Sequence, residues 1–361
     1  MSESLLRNYR NKKVLITGHT GFKGSWLSVW LHMLGAELTG YALDPLTPDD
    51  NFVLSGMQHK MHDNRGDIRD LQHLSRVFET AKPELVFHLA AQPLVGRSYE
   101  NPVETYETNV MGTMNVLECI RNTPETKVGV IITTDKCYEN KEWIWGYREN
   151  DSLGGYDPYS SSKACVELLV SSYRESFFNT LEDQDKKKFI ATVRAGNVVG
   201  GGDWSKDRII PDCIRSLEKN QSITLRNPHA IRPWQHVLEP LYGYLLLAIR
   251  MAEGEKNVTG AWNFGPESES MIEVEKIVQK VIKHWGKGTY SSLKSKQKFH
   301  ETNMLCLDIS KAKRELQWNP AWSIEKTIEL TVEWYRQYHE EDVYSICTRQ
   351  INQYLEDLSK M

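Results

Sequence analysis

A short apolar run, Val14-Leu15-Ile16-Thr17, leads straight into Gly18-His19-Thr20-Gly21-Phe22-Lys23-Gly24 and then into a helical pattern through Trp26, Trp30 and Leu34. This juncture constrains the chain more than any other stretch. Glycines at 18, 21 and 24 permit a tight turn, a close approach of backbone N–H groups to an anion, and close packing of helix on strand. The helix N-terminus that follows favours negative charge. Strand-like and helix-like segments then alternate. Glu37 to Leu43 reads as a strand, Leu71, Leu74 and Phe78 as a helix face, and Leu85 to Leu89 as a buried strand. A helix is expected over 103–119, a strand over 128–133, a helix over 159–178 and a strand over 189–194.

That rhythm predicts an α/β Rossmann fold, a doubly wound parallel sheet with helices on both faces. Beyond residue 196 the pattern loosens. Helical spacing near 210–217, 237–251 and 272–285 is broken by short strand-like pieces at 223–225 and 261–264. The expected domains are therefore 1–196, with segments around 230–265 returning to it, and a smaller mixed α/β C-terminal substrate lobe over 197–361.

Composition narrows the function classes. The 361 residues are 40% hydrophobic and 25% charged with a net charge of -4, an ordinary globular balance without a basic block. Nucleic acid and membrane surfaces are poor partners for such a chain. No signal peptide is evident, and no apolar run approaches the ~20 residues of a membrane helix. The six cysteines are widely spaced with no CxxC pair, which suggests neither a metal site nor a disulfide framework. A cytoplasmic location is expected.

The glycine turn alone has an ordinary reading as a strand–helix junction. Asp44 lies twenty residues past Gly24, at the expected end of the second strand. A carboxylate there hydrogen-bonds an adenosine ribose and repels a 2′-phosphate, which points to NAD. Asp67 and Ile68 follow a third strand and are candidates to meet the adenine. His19 and Lys23 put potential cations in the loop. They either point outward or add attraction for phosphate.

Asp157-Pro158-Tyr159-Ser160-Ser161-Ser162-Lys163 carries the chemistry. Asp157 suits an N-cap and Pro158 the first helical position. Tyr159 and Lys163 then share one helix face. A phenol of pKa about 10 is a poor base at neutral pH. A neighbouring cation lowers that value, so the pair can take a proton from an alcohol as hydride leaves. Isolated Tyr/Lys pairs are common on surfaces, and the glycine loop is what gives this one meaning.

The order TGxxGxxG, Leu89-Ala90-Ala91, Asn109, Thr133-Thr134-Asp135 and YxxxK resembles the extended short-chain dehydrogenase/reductase family over essentially the whole chain, including Leu307-Asp308-Ile309-Ser310-Lys311-Ala312. The resemblance implies NAD contacts at Gly18, His19, Gly21, Phe22, Lys23, Gly24, Asp44, Asp67, Ile68, Leu89, Ala90, Ala91, Asn109, Tyr159 and Lys163. It gives Thr134 the substrate hydroxyl. Asp135-Lys136, followed by Cys137-Tyr138-Glu139-Asn140, resembles the sugar-nucleotide 4,6-dehydratases of this family, in particular the branch acting on CDP-glucose; the dTDP-glucose branch has glutamate where Lys136 stands.

By that resemblance Asp135 is the acid and Lys136 the candidate C5 base of a lyase in deoxysugar biosynthesis. For Lys136 the ordinary reading is a cation paired with Glu139. Gln92, Ser98, Asn197, Arg208, Arg226 and Arg232 are the candidate substrate contacts. The alternatives are a dTDP- or UDP-hexose 4,6-dehydratase, a 4-epimerase, or a non-catalytic NAD-binding protein on the same fold. Apolar faces on both sides of the helices at 103–119 and 159–178 fit the family's pairing bundle, so a homodimer or homotetramer is expected.

Overall fold

The computed structural model describes residues 7–179, 187–292 and 304–361. The chain first forms β1 (Lys13–Thr17), α1 (Phe22–Met33), β2 (Glu37–Ala42), β3 (His62–Arg65), α2 (Leu71–Ala81), β4 (Leu85–His88), α3 (Pro102–Tyr106), α4 (Gly112–Asn122), β5 (Val128–Ile132), α5 (Pro158–Tyr173) and β6 (Phe189–Ala195). It continues through β7 (Asn197–Val199), α6 (Ile209–Glu218), β8 (Ile223–Leu225), β9 (Ile231–His236), α7 (Leu238–Ala252), β10 (Gly260–Phe264), β11 (Met271–Glu273), α8 (Val274–Trp285), β12 (Tyr290–Ser292), α9 (Ile324–Gln337) and α10 (Val343–Ser359).

Seven strands form one sheet in the order β10-β6-β5-β4-β1-β2-β3, parallel at every pairing. The order reverses at β1, which pairs with β2 on one side and β4 on the other. Such a reversal opens a crevice at the carboxyl ends of the strands. The alternation of side chains explains the two covered faces. Val14 and Ile16 join a core with Trp26 and Trp30 of α1 and Leu241 and Leu245 of α7. Leu15 faces the other way, with Leu117 and Ile120 of α4 and Val166 of α5.

After residue 196 the chain returns to the large sheet within the segment around 230–265, where a return is expected. β10 pairs with β6, and the almost wholly buried α7 packs in the core beneath the sheet. α10 rests on α1, where Tyr354 meets Trp30 edge-on at 5.8 Å and the Tyr344 hydroxyl lies 2.7 Å from His32 Nδ1. Outside the seven-stranded sheet lie a three-stranded sheet, β11-β9-β7, a β12-β8 pair, and the helices α6, α8 and α9, which share the core of α1 and α7. β2 ends at Ala42, two residues earlier than the sequence suggests, so Asp44 lies just beyond it.

Glu239, in the first turn of α7, ties this arrangement together. Its buried carboxylate accepts hydrogen bonds from the Ala321 and Trp322 N–H groups and from the Tyr354 hydroxyl, at 3.0, 2.8 and 2.7 Å. Burial pushes its carboxyl up to about 7, against those hydrogen bonds. The folded state therefore holds this proton more tightly than the unfolded chain. Glu239 then contributes most to stability at the acid end, and its contribution falls as pH rises from the unfolded carboxylate range to about 7. Glu239→Gln should flatten that decline. Denaturant unfolding at pH 5 and pH 8 checks this, and an equal decline in both proteins contradicts it.

Candidate active site

The glycine turn sits at the mouth of the crevice. Gly18 has φ +74°, and a Cβ there would lie 2.6 Å from the Ala90 nitrogen. A Cβ on Gly24 would lie 2.1 Å from the Gly18 carbonyl oxygen. These two glycines let α1, β1 and the segment after β4 touch. Gly21 is different. A Cβ there would meet only the Gly18 oxygen, at 3.4 Å, so its bareness serves the open side of the turn. Gly21 is also the N-cap of α1, and no side chain caps the helix there. An uncapped helix start beside an exposed glycine fits a diphosphate. Phe22, half-buried, begins the helix. Leu89 and Ala90 close the opposite lip through N–H groups bonded to the Thr17 carbonyl and hydroxyl, and Ala91 follows them half-buried.

Several expected cofactor residues occupy other roles. His19 neither points outward nor faces a phosphate. Its ring is fully buried beneath Gly40, bonded through Nε2 to Asp63 at 2.8 Å, and burial lowers its pKa. Only its backbone can serve the loop. The Asn109 amide is engaged by the Gln92 N–H, the Gln92 carbonyl and the Ser162 hydroxyl, so it braces α5 against the segment after β4. Ile68 packs its side chain on Gly112 and gives its carbonyl to Asn115. Asp67 is held by Arg69, whose hydrogen bonds keep its carboxyl below the usual range. Asp44 is 86% exposed, 3.7 Å from the Arg65 guanidinium, and open to a ribose.

Across the crevice, Asp157 caps α5 by accepting the Ser160 N–H, as its position suggests. Tyr159 and Lys163 face inward and are buried. Burial pushes the Tyr159 phenol up to about 12, opposed by a hydrogen bond with Thr134 and the charge of Arg208. The four-residue spacing predicts that Lys163 lowers it. In the structure the Lys163 ammonium instead donates to the Ile132 carbonyl at 3.1 Å. Burial pushes Lys163 down to about 8, with the charge of Glu167 opposing.

A tight 3₁₀ turn, Asp135–Cys137, carries the second half of the chemistry, with Thr134 at its N-cap. Thr134 donates to Asp135 Oδ1 at 2.9 Å. Asp135 is 4% exposed, and burial raises its carboxyl above the usual range. The charges of Lys136 and Lys23 and the Thr134 hydroxyl oppose that rise without cancelling it. Lys136 is half-buried beside it, and Glu139 pairs with Lys141 at 3.6 Å. Lys23 faces this centre too. Burial, then the Arg208 and Lys163 cations, push its ammonium down to about 8, while Asp135 pulls it up. Its residue type was noticed in the sequence; its direction toward the acid was not.

The substrate candidates divide. Arg208 bonds Asp203 at 2.9 Å and acts electrostatically on Tyr159, Lys23 and the carboxylate it pairs with. Gln92 and Ser98 spend their side-chain polar groups within the protein. The Gln92 amide bonds Leu94 and Thr105, and the Ser98 hydroxyl bonds the Val95 carbonyl. Asn197 is half-buried on β7. Arg226 bonds Asp207 at 2.7 Å near the surface, and Arg232 sits half-buried on β9. Neither arginine is among the charges acting most strongly on Tyr159, Asp135 or Lys163.

A glycine turn under a helix N-terminus, facing a Tyr/Lys pair across the reversal point of a parallel sheet, defines the short-chain dehydrogenase/reductase class. The model of the GDP-mannose 4,6 dehydratase family matches residues 15–331, and the chain belongs to that family. It is 50% identical over 349 residues to the CDP-glucose 4,6-dehydratase of Salmonella typhimurium, covering 96% of this chain and 97% of the relative. It is 27% identical to the dTDP-glucose 4,6-dehydratase of the same organism, covering 90% and 92%. Among solved structures, an epimerase of Methanothermobacter thermautotrophicus superposes with a TM-score of 0.80 at 23% identity, covering 94% of this chain and 96% of that one. A dTDP-glucose 4,6-dehydratase of Bacillus anthracis in complex with NAD gives 0.72 at 22% identity, covering 91% and 98%. These two structures share the fold.

The three glycines should respond differently to one methyl group. Gly24→Ala should lower stability by about 1–3 kcal/mol through overpacking. Gly21→Ala should melt within a few degrees of the wild type, roughly the N-cap difference, yet bind NAD more weakly. Thermal melts and calorimetric titration with NAD check the pair. Equal melting temperatures for both variants contradict the packing argument.

Proposed function

We propose that this enzyme is a CDP-glucose 4,6-dehydratase, which converts CDP-D-glucose to CDP-4-keto-6-deoxy-D-glucose and water in deoxysugar biosynthesis. The observation that carries the reading is the Thr134-Asp135-Lys136 turn. A buried carboxyl with a raised pKa stands beside a lysine, within the same centre as Tyr159 and Lys163. The relative sharing half of the residues, named a CDP-glucose 4,6-dehydratase, supports the same substrate. An epimerase has no need of a second acid–base pair.

NAD fits the cradle of Gly18, Gly21 and Gly24, with Asp44 at its ribose end and the Leu89–Ala91 lip opposite. Bound there, it supplies a reversible hydride acceptor and is not consumed. The remaining work is proton transfer by this chain. Thr134 holds the C4 hydroxyl and Tyr159 removes its proton. Once C4 is a ketone, the C5 proton is acidic, and Lys136 takes it. Asp135, kept protonated by burial, gives its proton to the C6 oxygen, which leaves as water. A solvent-derived proton returns to C5. The role of Lys136 requires that its amine be neutral when it acts. Arg208, whose charge reaches Tyr159 and Lys23, is the first candidate to hold the diphosphate, with Arg226 and Arg232 as candidates for the nucleoside end.

The same reading places the enzyme in the cytoplasm, and among the described residues no helix is long and apolar enough to cross a membrane. It also pairs two copies through the α3–α4 and α5 helices. Val103, Met111, Leu168 and Phe177 are exposed apolar side chains on those helices and their continuations, which supports that surface.

Incubation with NAD and CDP-, dTDP- or UDP-glucose should give a 4-keto-6-deoxy product from CDP-glucose, identified by mass and by its ultraviolet absorbance in base. An epimer, or unchanged CDP-glucose, contradicts the assignment. Lys136→Ala should still oxidise C4 but should stop solvent deuterium from entering at C5. Entry at the wild-type rate removes Lys136 as the base.

A further inference from the structure

One turn beyond Lys163 on α5 lies Glu167, a fully buried carboxylate that touches neither Tyr159 nor the acid–base turn. Its two oxygens accept four hydrogen bonds from three side chains. Arg194 of β6 reaches both, at 2.9 and 2.8 Å. The Thr133 hydroxyl donates to one oxygen at 2.5 Å and the Thr192 hydroxyl to the other at 2.7 Å. Burial alone would raise this carboxyl. The guanidinium and the two hydroxyls outweigh it and hold Glu167 ionised. Arg194 then extends the network. It donates to the Tyr138 hydroxyl at 2.6 Å and stacks over that ring at 4.8 Å, while Tyr138 donates to Asn263 of β10 at 2.8 Å.

The two arms of this network bracket Thr134, Asp135 and Lys136. Thr133 precedes them and Tyr138 follows the turn. We propose that Glu167 is a positioning residue for the reaction: it clamps the Thr134–Lys136 turn, directly at Thr133 and through Arg194 at Tyr138, and stands one helical turn from Lys163 as its counter-charge. The proposal deepens the dehydratase reading and rests on it for its kinetic arm.

The groups around Lys163 make Glu167 the significant anion. Its own helix presents Tyr159 and Glu167. The turn carries Asp135, Lys136 and Cys137, α1 carries Lys23, β4 carries His88 and β6 carries Arg194; of these, Cys137, Lys23 and His88 interact with Lys163 by charge. Burial keeps the Cys137 thiol and the His88 imidazole uncharged, and it raises the Asp135 carboxyl. Lys23, Lys136 and Arg194 are basic groups and bring no negative charge. Among these described groups Glu167 alone is held as an anion, and it pulls Lys163 back up against burial. Removing its charge should let Lys163 lose its proton at lower pH.

The test uses the full-length enzyme with NAD and CDP-glucose. Glu167→Gln should move the alkaline limb of kcat to lower pH and reduce kcat at least about tenfold, the scale of a small misplacement of reacting groups, with little change in KM. Competitive acetylation of Lys163 across pH, read by mass spectrometry, should shift the same way without needing turnover. Tyr138→Phe keeps the ring stack but loses both hydrogen bonds, so it should lower kcat without moving the limb. Glu167→Asp should recover part of the limb. A folded Glu167→Gln protein with the wild-type limb and labelling profile overturns the proposal. Should that variant not fold, wild-type kcat in both Tyr138→Phe and Thr133→Val overturns it instead. Failure of the wild type to convert CDP-glucose would contradict the assigned reaction, while the labelling profile still decides the role of Glu167.

Discussion

The site depends on how closely α1 can approach the ends of β1 and β4. The contact is backbone on backbone: Gly24 against the Gly18 carbonyl, and Gly18 against Ala90. No side chain fits at either place. This closeness brings the start of α1, with Lys23, up to the turn after β5, where Asp135 sits among Lys23, Lys136 and Thr134. A looser junction would widen the crevice and dilute every electrostatic effect in it.

Burial then divides the labour among the titratable groups. It raises the Asp135 carboxyl, pushes the Tyr159 phenol up to about 12 and pushes the Lys163 and Lys23 ammonium groups down to about 8. Each group is biased toward its neutral form, and each bias is opposed by a neighbour of known identity. Asp135 is favoured as an acid by this environment. Tyr159 is not favoured as a base by it, so its activation rests on Thr134 and on nearby cations rather than on its spacing from Lys163 alone. The Glu167–Arg194 pair, a little deeper, stabilises the frame on which those groups are carried. Such a pair is weak evidence for stability in itself, since desolvation offsets its attraction. Its hydrogen bonds to both sides of the acid–base turn are the better reason for its presence.

The alternating core was legible because a parallel strand buried on both faces is a near-continuous apolar run, as in Leu85–Phe87 and Val128–Ile132. The glycine spacing and the Tyr159/Lys163 face were legible because each needs particular residues at particular intervals. What escaped were side-chain directions. His19, Asn109, Gln92 and Ser98 carry polar groups suited to ligands, yet each bonds to its own protein. A sequence shows that a group can hydrogen-bond, not with whom. Glu167 was missed for the opposite reason. Its spacing four residues after Lys163 was visible, but its partners come from the residue after β5 and from β6, distant in the chain. The return of a segment near 230–265 was expected and is seen in β10, whereas the packing of α10 on α1 depends on long-range contacts that the sequence does not display.

The central claim is that one site oxidises C4, eliminates water across C5 and C6, and reduces C6 without losing the hydride it removed. CDP-glucose carrying deuterium at C4 tests it most directly. The account predicts a 4-keto-6-deoxy product with that deuterium in its C6 methyl group. Deuterium retained at C4, or a product with none at C6, would contradict it.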